Sequence, residues 1–153
     1  MKTLDQWFEE YGVSHKNLTN KKIHYICVPI IFFSVIGLLM SIPSQILESL
    51  NAIHPVFANW AFIALLFVLL FYFRLSMAMG LKMLLFTSLC LAGNYFISKS
   101  FSLLWFSIAV FVIGWIGQFY GHKIEGKKPS FLKDLQFLLI GPAWVIDSVL
   151  KRI

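Results

Sequence analysis

IHYICVPIIFFSVIGLLMSI, residues 23–42, is the stretch that decides the fold. Its 20 residues carry no charge. As a helix rising about 1.5 Å per residue, the run matches the ~30 Å hydrocarbon thickness of a bilayer. Pro29 lies near its start, where it bends a helix, and Pro43 with Ser44 ends the run. Working outward, three further apolar runs have spanning length. They are Val56–Phe73, closed by Arg74; Leu75–Ile97, with Lys82 near one end, where it can snorkel to the interface; and Phe101–Tyr120, reached through the turn Ser98-Lys99-Ser100. The fold class expected is all-α: a polytopic membrane protein of about four transmembrane helices.

Composition agrees. The chain is 59% hydrophobic and 13% charged, with a mean hydropathy of +0.78. Soluble domains carry about 25% charged residues, and a core of this size cannot hide so much apolar surface, so the surplus faces lipid. The net charge of +6 does not point to nucleic acid, because the basic residues flank apolar runs rather than forming a stripe on a polar domain. Cys27 and Cys90 both lie inside apolar runs. They read as packing residues rather than a disulfide framework.

Residues 1–153 are read as one integral membrane domain: a cytoplasmic arm over 1–21, a four-helix bundle over 22–121 and an interfacial tail over 122–153. The arm lacks the apolar core of a signal peptide, so the first run is read as a retained span. Within the arm, Leu4, Trp7, Phe8 and Tyr11 have helical spacing. That face either lies on the membrane or packs on the bundle. Gly12 breaks it, and Asn17, Thr19 and Asn20 are turn or helix-capping types. In the tail, Phe131–Val149 contains Lys133, Asp134, Asp147 and a Gly141-Pro142 break. It reads as two short interfacial or re-entrant helices, with a fifth span as the alternative.

Loop charge sets the expected orientation. Lys2, Lys16, Lys21 and Lys22 precede the first span; the loop over 43–56 holds Glu48 and His54 but no Lys or Arg; Arg74 and Lys82 mark the second turn; Lys99 alone marks the third. The tail carries Lys123, Lys127, Lys128, Lys133, Lys151 and Arg152. The alternation places both termini in the cytoplasm.

This topology gathers His15, His24 and His122 at one membrane face and leaves His54 at the other. His15 and His24 are nine residues apart. On one helix they would diverge by about 180°, so the chain must turn between them to make one site. Trp115, Gln118, His122 and Glu125 share one helical face if the last span continues past Gly121. Imidazoles with a carboxylate suit Fe(II), Mn(II) or Zn(II), and Fe(II) where open positions serve oxygen chemistry. The bland alternative is that these histidines anchor helix ends at the interface. Gly114, Gly117 and Gly121 read as close-packing positions. Asn94 reads as an interhelical hydrogen-bond donor, and Lys127 and Lys128 as surface charges able to steer an anionic headgroup.

Two blocks carry a family resemblance. The first is Tyr11-x-x-x-His15-x-Asn17-x-x-Asn20-x-x-x-His24-x-x-x-x-Pro29, and the second Gly114-Trp115-x-x-Gln118-Phe119-x-Gly121-His122-x-x-Glu125-x-x-x-Pro129. Together they resemble the 2-hydroxy fatty acid dioxygenase family of fungi and bacteria. The resemblance implies an Fe(II)-dependent membrane oxygenase using O₂ for α-oxidation of 2-hydroxy fatty acids, shortening them by one carbon, as in phytosphingosine breakdown. It implies iron ligation by His15, His24 and His122, with Glu125 at the family's acidic position. Gln118, Lys127 and Lys128 are the candidate substrate contacts. The expected setting is a multi-pass protein of a bacterial inner membrane or the endoplasmic reticulum. Competing readings are a haem protein with His24 and His122 as axial ligands, and a non-enzymatic lipid-interacting membrane protein.

Overall fold

The computed structural model describes residues 2–48, 54, 56–128 and 137–151, and every regular element among them is helical. Helix α1 (Leu4–Gly12) opens with a reciprocal cap. The Gln6 N–H donates to Thr3 Oγ1 at 3.3 Å, and the Thr3 N–H donates to Gln6 Oε1 at 2.9 Å. Of the two placements open to its apolar face, the chain takes the bundle: Trp7 and Tyr11 are buried with Phe137 and Ile140.

Helix α2 (Leu18–Met40) begins five residues before the apolar run. Asn17 Oδ1 caps it, accepting from the N–H groups of Thr19 at 2.8 Å and Asn20 at 3.3 Å. The helix continues through Pro29. After the short α3 (Gln45–Glu48), α4 (Trp60–Leu75) starts later than hydropathy alone places it. The side chain of Asn59 accepts from the Phe62 N–H at 3.0 Å and fixes the first turn. Ser76, in extended conformation, is the single residue between α4 and α5 (Met77–Ser98). Helix α6 (Leu103–Glu125) runs five residues beyond the expected Tyr120 and carries His122 and Glu125 on its last turn. It stops at Gly126, whose φ of 70° suits a residue without a side chain.

Among the described residues three helices, α2, α5 and α6, are long and apolar enough to cross a bilayer. The 16 residues of α4 reach about 24 Å, somewhat less than a full hydrocarbon core. Large apolar side chains such as Phe67, Leu70, Trp105 and Ile116 are exposed, as lipid-facing positions are.

The tail departs from expectation. Instead of two short helices broken at Gly141-Pro142, α7 (Phe137–Leu150) is one helix with Pro142 inside it. Proline cannot donate to the carbonyls one turn earlier, and the Tyr72 hydroxyl donates to one of them, Leu139 O, at 2.7 Å. Gly141 lets α7 sit against the Tyr11 hydroxyl; a Cβ there would lie 2.9 Å from it. Phe131, Lys133 and Asp134 lie outside the described residues. Lys82 also behaves differently. Rather than reaching only for the interface, its ammonium pairs with Asp147 of α7 at 2.6 Å, and Asp147 also takes Lys151 at 2.8 Å.

The most extensive packing is α2 on α6, and small residues permit it. A Cβ at Gly114 would stand 2.6 Å from Ile31, one at Gly117 2.5 Å from the Cys27 sulfur, and one at Gly121 2.5 Å from Asn20 Oδ1. Asn94 of α5 donates from Nδ2 to Phe33 O of α2 at 3.0 Å, an interhelical bond as its position predicts. Cys90 is buried in the core cluster with Ile36, Leu65 and Leu91.

Candidate metal centre

Three histidines from three segments meet at one end of the bundle. His15 lies in the link between α1 and α2, His24 on the second turn of α2, and His122 on the last turn of α6. Their exposures are 1%, 0% and 5%. Ring centroids are 4.3 Å apart for His15 and His24, 5.2 Å for His15 and His122, and 4.8 Å for His24 and His122. One nitrogen of each lies within 4.8 Å of the others, so the three can hold a metal ion. His54 is exposed and packs near Phe57 and Tyr95, away from them.

The turn that spacing requires between His15 and His24 is built from local bonds. The His15 N–H donates to Gly12 O at 3.0 Å and the Ser14 N–H to Tyr11 O at 3.3 Å. The His15 ring stacks on Tyr11 with centroids 4.2 Å apart. Across the bundle, the Glu125 carboxylate accepts from the Lys16 N–H at 2.8 Å, the Asn17 N–H at 2.9 Å and Asn20 Nδ2 at 3.0 Å. Glu125 therefore ties the end of α6 to the start of α2 and holds the His15 link in place; its oxygens are engaged by N–H donors. Lys127 adds a second tie, donating from Nζ to Val13 O at 2.8 Å. Lys128 is exposed beside it.

Ring protonation follows from the partners. His15 Nδ1 is 2.7 Å from Tyr11 O and His24 Nδ1 is 3.0 Å from Asn20 O. Carbonyl oxygens only accept, so each Nδ1 carries the proton and each Nε2 presents a lone pair, the form metal-binding imidazole needs. Burial holds His15 below its ordinary pKa, with the Tyr11 carbonyl pulling in the opposite direction. The ring is therefore neutral at pH 7. The Nε2 atoms of His24 and His122 face each other at 3.2 Å. His15 Nε2 and His122 Nδ1 are buried with no hydrogen-bond partner. Two nitrogens on one ion at about 2.0–2.1 Å stand about 3 Å apart, so a cation held by the facing Nε2 atoms of His24 and His122 and the orphaned Nε2 of His15 would satisfy those three together.

Beside the histidines, a cavity of about 450 Å³ opens between α2, α4, α6 and α7. His122, Gln118 and Tyr11 line its polar end; Phe32, Ile36 and Leu65 are among the apolar residues beyond. Gln118 is 5% exposed, and its Nε2 has no partner. Trp115, Gln118 and His122 thus share the cavity face of α6, while Glu125 turns to the start of α2.

Three contributors escaped the sequence reading. Asp147 had no assigned partner before α5 and α7 met. Tyr11 and Asn20 had no assigned role as carbonyl acceptors for the histidines. The signal for the latter was present: Tyr11 and His15, like Asn20 and His24, are four apart, the separation at which a ring nitrogen reaches back to a backbone oxygen.

The sequence matches the family described as 2-hydroxy-palmitic acid dioxygenase Mpo1-like over residues 1–153. The chain belongs to that family. It is 29% identical over 145 residues to the 2-hydroxy-palmitic acid dioxygenase MPO1 of Saccharomyces cerevisiae, covering 94% of this chain and 77% of the yeast protein. No solved structure matches it. Both blocks that bear the resemblance converge on one place in this Mpo1-like chain: His15 and His24 from the first, His122 from the second.

Proposed function

We propose that this chain is a membrane dioxygenase that shortens 2-hydroxy fatty acids by one carbon, with Fe(II) held by His15, His24 and His122. The observation that carries the reading is the buried triad, one nitrogen of each ring within 4.8 Å of the others, beside an apolar cavity that His122 lines. Iron there would supply a Lewis-acid and redox centre for O₂ chemistry.

The chain's own residues do the rest. Tyr11 and Asn20 fix the tautomers of His15 and His24 through their carbonyls. Gln118 Nε2 donates to the carboxylate or 2-hydroxyl of the substrate. Lys127 and Lys128 place positive charge at the rim and draw the carboxylate inward. The apolar walls exclude water and align the substrate. One O₂ balances the reaction: the C1–C2 bond breaks, and the 2-hydroxy acid plus O₂ becomes the shortened acid, CO₂ and water. The triad face is cytoplasmic by loop charge, in a bacterial inner membrane or the endoplasmic reticulum. A haem reading fits less well. Axial nitrogens on one iron stand about 4 Å apart, twice the ~2 Å bond, with a macrocycle between them; those of His24 and His122 are 3.2 Å apart and buried.

The test uses the full chain in detergent, loaded anaerobically with Fe(II) and given 2-hydroxypalmitic acid and O₂. Mass spectrometry should find iron-dependent pentadecanoic acid, lost in His122→Ala while helix content is retained. No product from folded, iron-loaded protein across a range of chain lengths would refute the reading.

A further inference from the structure

We infer that the cavity is the seat of the substrate's acyl chain, and that residues at its deep end, Ile36, Leu39, Ala64 and Leu65, set the longest chain accepted. This rests on the dioxygenase reading for the identity of the headgroup but not for the existence of an acyl site.

Three observations select one occupant. The first is polarity. The cavity's polar groups, Gln118 and His122 with Tyr11, gather at the triad, and the α2 residues that line it onward, from Val28 to Leu39, are apolar. A molecule with one polar end and one long apolar end matches that profile; bulk lipid needs no polar terminus there. The second is Gln118, whose buried Nε2 has no partner and lies among the cavity-lining groups. An unpartnered buried donor is costly, and a carboxylate or hydroxyl would satisfy it.

The third is size. Along α2 the cavity lining runs from Val28 to Leu39, 11 residues on, or about 16 Å at 1.5 Å per residue. An extended chain advances ~1.2 Å per bond, three bonds spanning about 3.6 Å. That length corresponds to roughly 14 bonds beyond the headgroup, which places the occupant among long-chain acids. The deep end is firm, because Ile36 and Leu65 belong to the buried core cluster and Leu39 packs against it. A longer chain would have to displace that core. Helices α4 and α6 both pack on α2 and flank the cavity, and two of its lining residues, Val35 and Leu138, are exposed, which gives the acyl chain a sideways path from the surrounding leaflet.

The test has two readouts. A 2-hydroxy fatty acid of 16 carbons with a diazirine at its terminal carbon is photolysed with the full chain in detergent, and the labelled peptides are mapped. Label at residues 36–39 and 64–65, competed by 2-hydroxypalmitic acid, is the expected result. Label on outward residues such as Leu66, Phe67 or Leu70, or label that the acid does not compete, overturns the inference as adventitious lipid contact. The second readout is chain-length preference in Ala64→Phe, which fills the deep end. Each methylene lost from the site lowers relative kcat/KM by about fourfold, so the ratio of 16- to 12-carbon turnover should fall at least tenfold. An unchanged ratio in a folded variant overturns the ruler. Competed deep-end label without turnover by the parent chain would leave the acyl site standing and refute the dioxygenase reading; turnover with label elsewhere would do the reverse.

Discussion

Replacing Glu125 by Gln should weaken metal binding without changing the ligand set. In the structure the carboxylate receives the N–H groups of Lys16 and Asn17 and the amide of Asn20, at 2.8, 2.9 and 3.0 Å. A neutral amide of the same shape keeps one acceptor oxygen and turns an NH₂ toward the other donors. It therefore loses at least one charge-assisted bond and opposes like groups. Such a bond is worth about 1.5–3 kcal/mol, and the half-exposed setting of Glu125 puts it at the lower end. About 1.5–2 kcal/mol taken from the His15 link corresponds to a 10- to 30-fold loss of metal affinity, the range seen when groups supporting metal ligands are removed. Co(II) titration of the purified protein reads both parts. Affinity should fall by that factor, while the visible absorption of the Co(II) form, which reports coordination, stays the same. A changed spectrum would make Glu125 a direct ligand. Unchanged affinity would show that the tie between α6 and the His15 link does not hold the site.

Asp147→Ala should destabilise the docking of α7, because it strands Lys82, whose side chain is 32% exposed, against an apolar helix. Thermal unfolding in detergent should show a loss of about 2–4 kcal/mol, largely recovered in Lys82→Met/Asp147→Leu; a change under 0.5 kcal/mol would refute the role of the pair. Gly117→Val should separate α2 from α6, since even a Cβ would sit 2.5 Å from the Cys27 sulfur. A cost of about 1–3 kcal/mol and weaker metal retention are expected, and wild-type stability would contradict the close approach. Gln118→Leu should raise KM for the 2-hydroxy acid about tenfold with metal affinity unchanged, as expected for loss of one hydrogen bond to a charged group; an unchanged KM would remove Gln118 from substrate contact.

Hydropathy and capping residues are local properties, and they carried the reading of helices. The apolar runs, the cap at Asn17, the small-residue stripe at Gly114, Gly117 and Gly121, and the placement of three histidines at one face could all be read from spacing, because each depends on neighbours within a few turns; the cap at Asn59, which delays α4, was not read. Glu125 was visible as a carboxylate one turn from His122. That its oxygens meet N–H groups more than 100 residues away depends on α2 and α6 lying side by side, and no local pattern reports that. The same holds for Lys82, read as a snorkelling cation until α7 brought Asp147 to it. It also holds for Pro142, read as a break until Tyr72 supplied a donor beside it.

The sequence by itself determined a helical membrane protein, with three of its four imidazoles expected at one face, because burial in lipid leaves the backbone no alternative partner and sorts charge to the ends of apolar runs. Only the tertiary structure decided that α1 folds onto α7, that the link behind it carries His15 to within reach of His24 and His122, and that α4 and α6 leave a long cavity beside them. Those outcomes rest on contacts between residues far apart in the chain, where packing and hydrogen bonding choose among arrangements that hydropathy leaves equal.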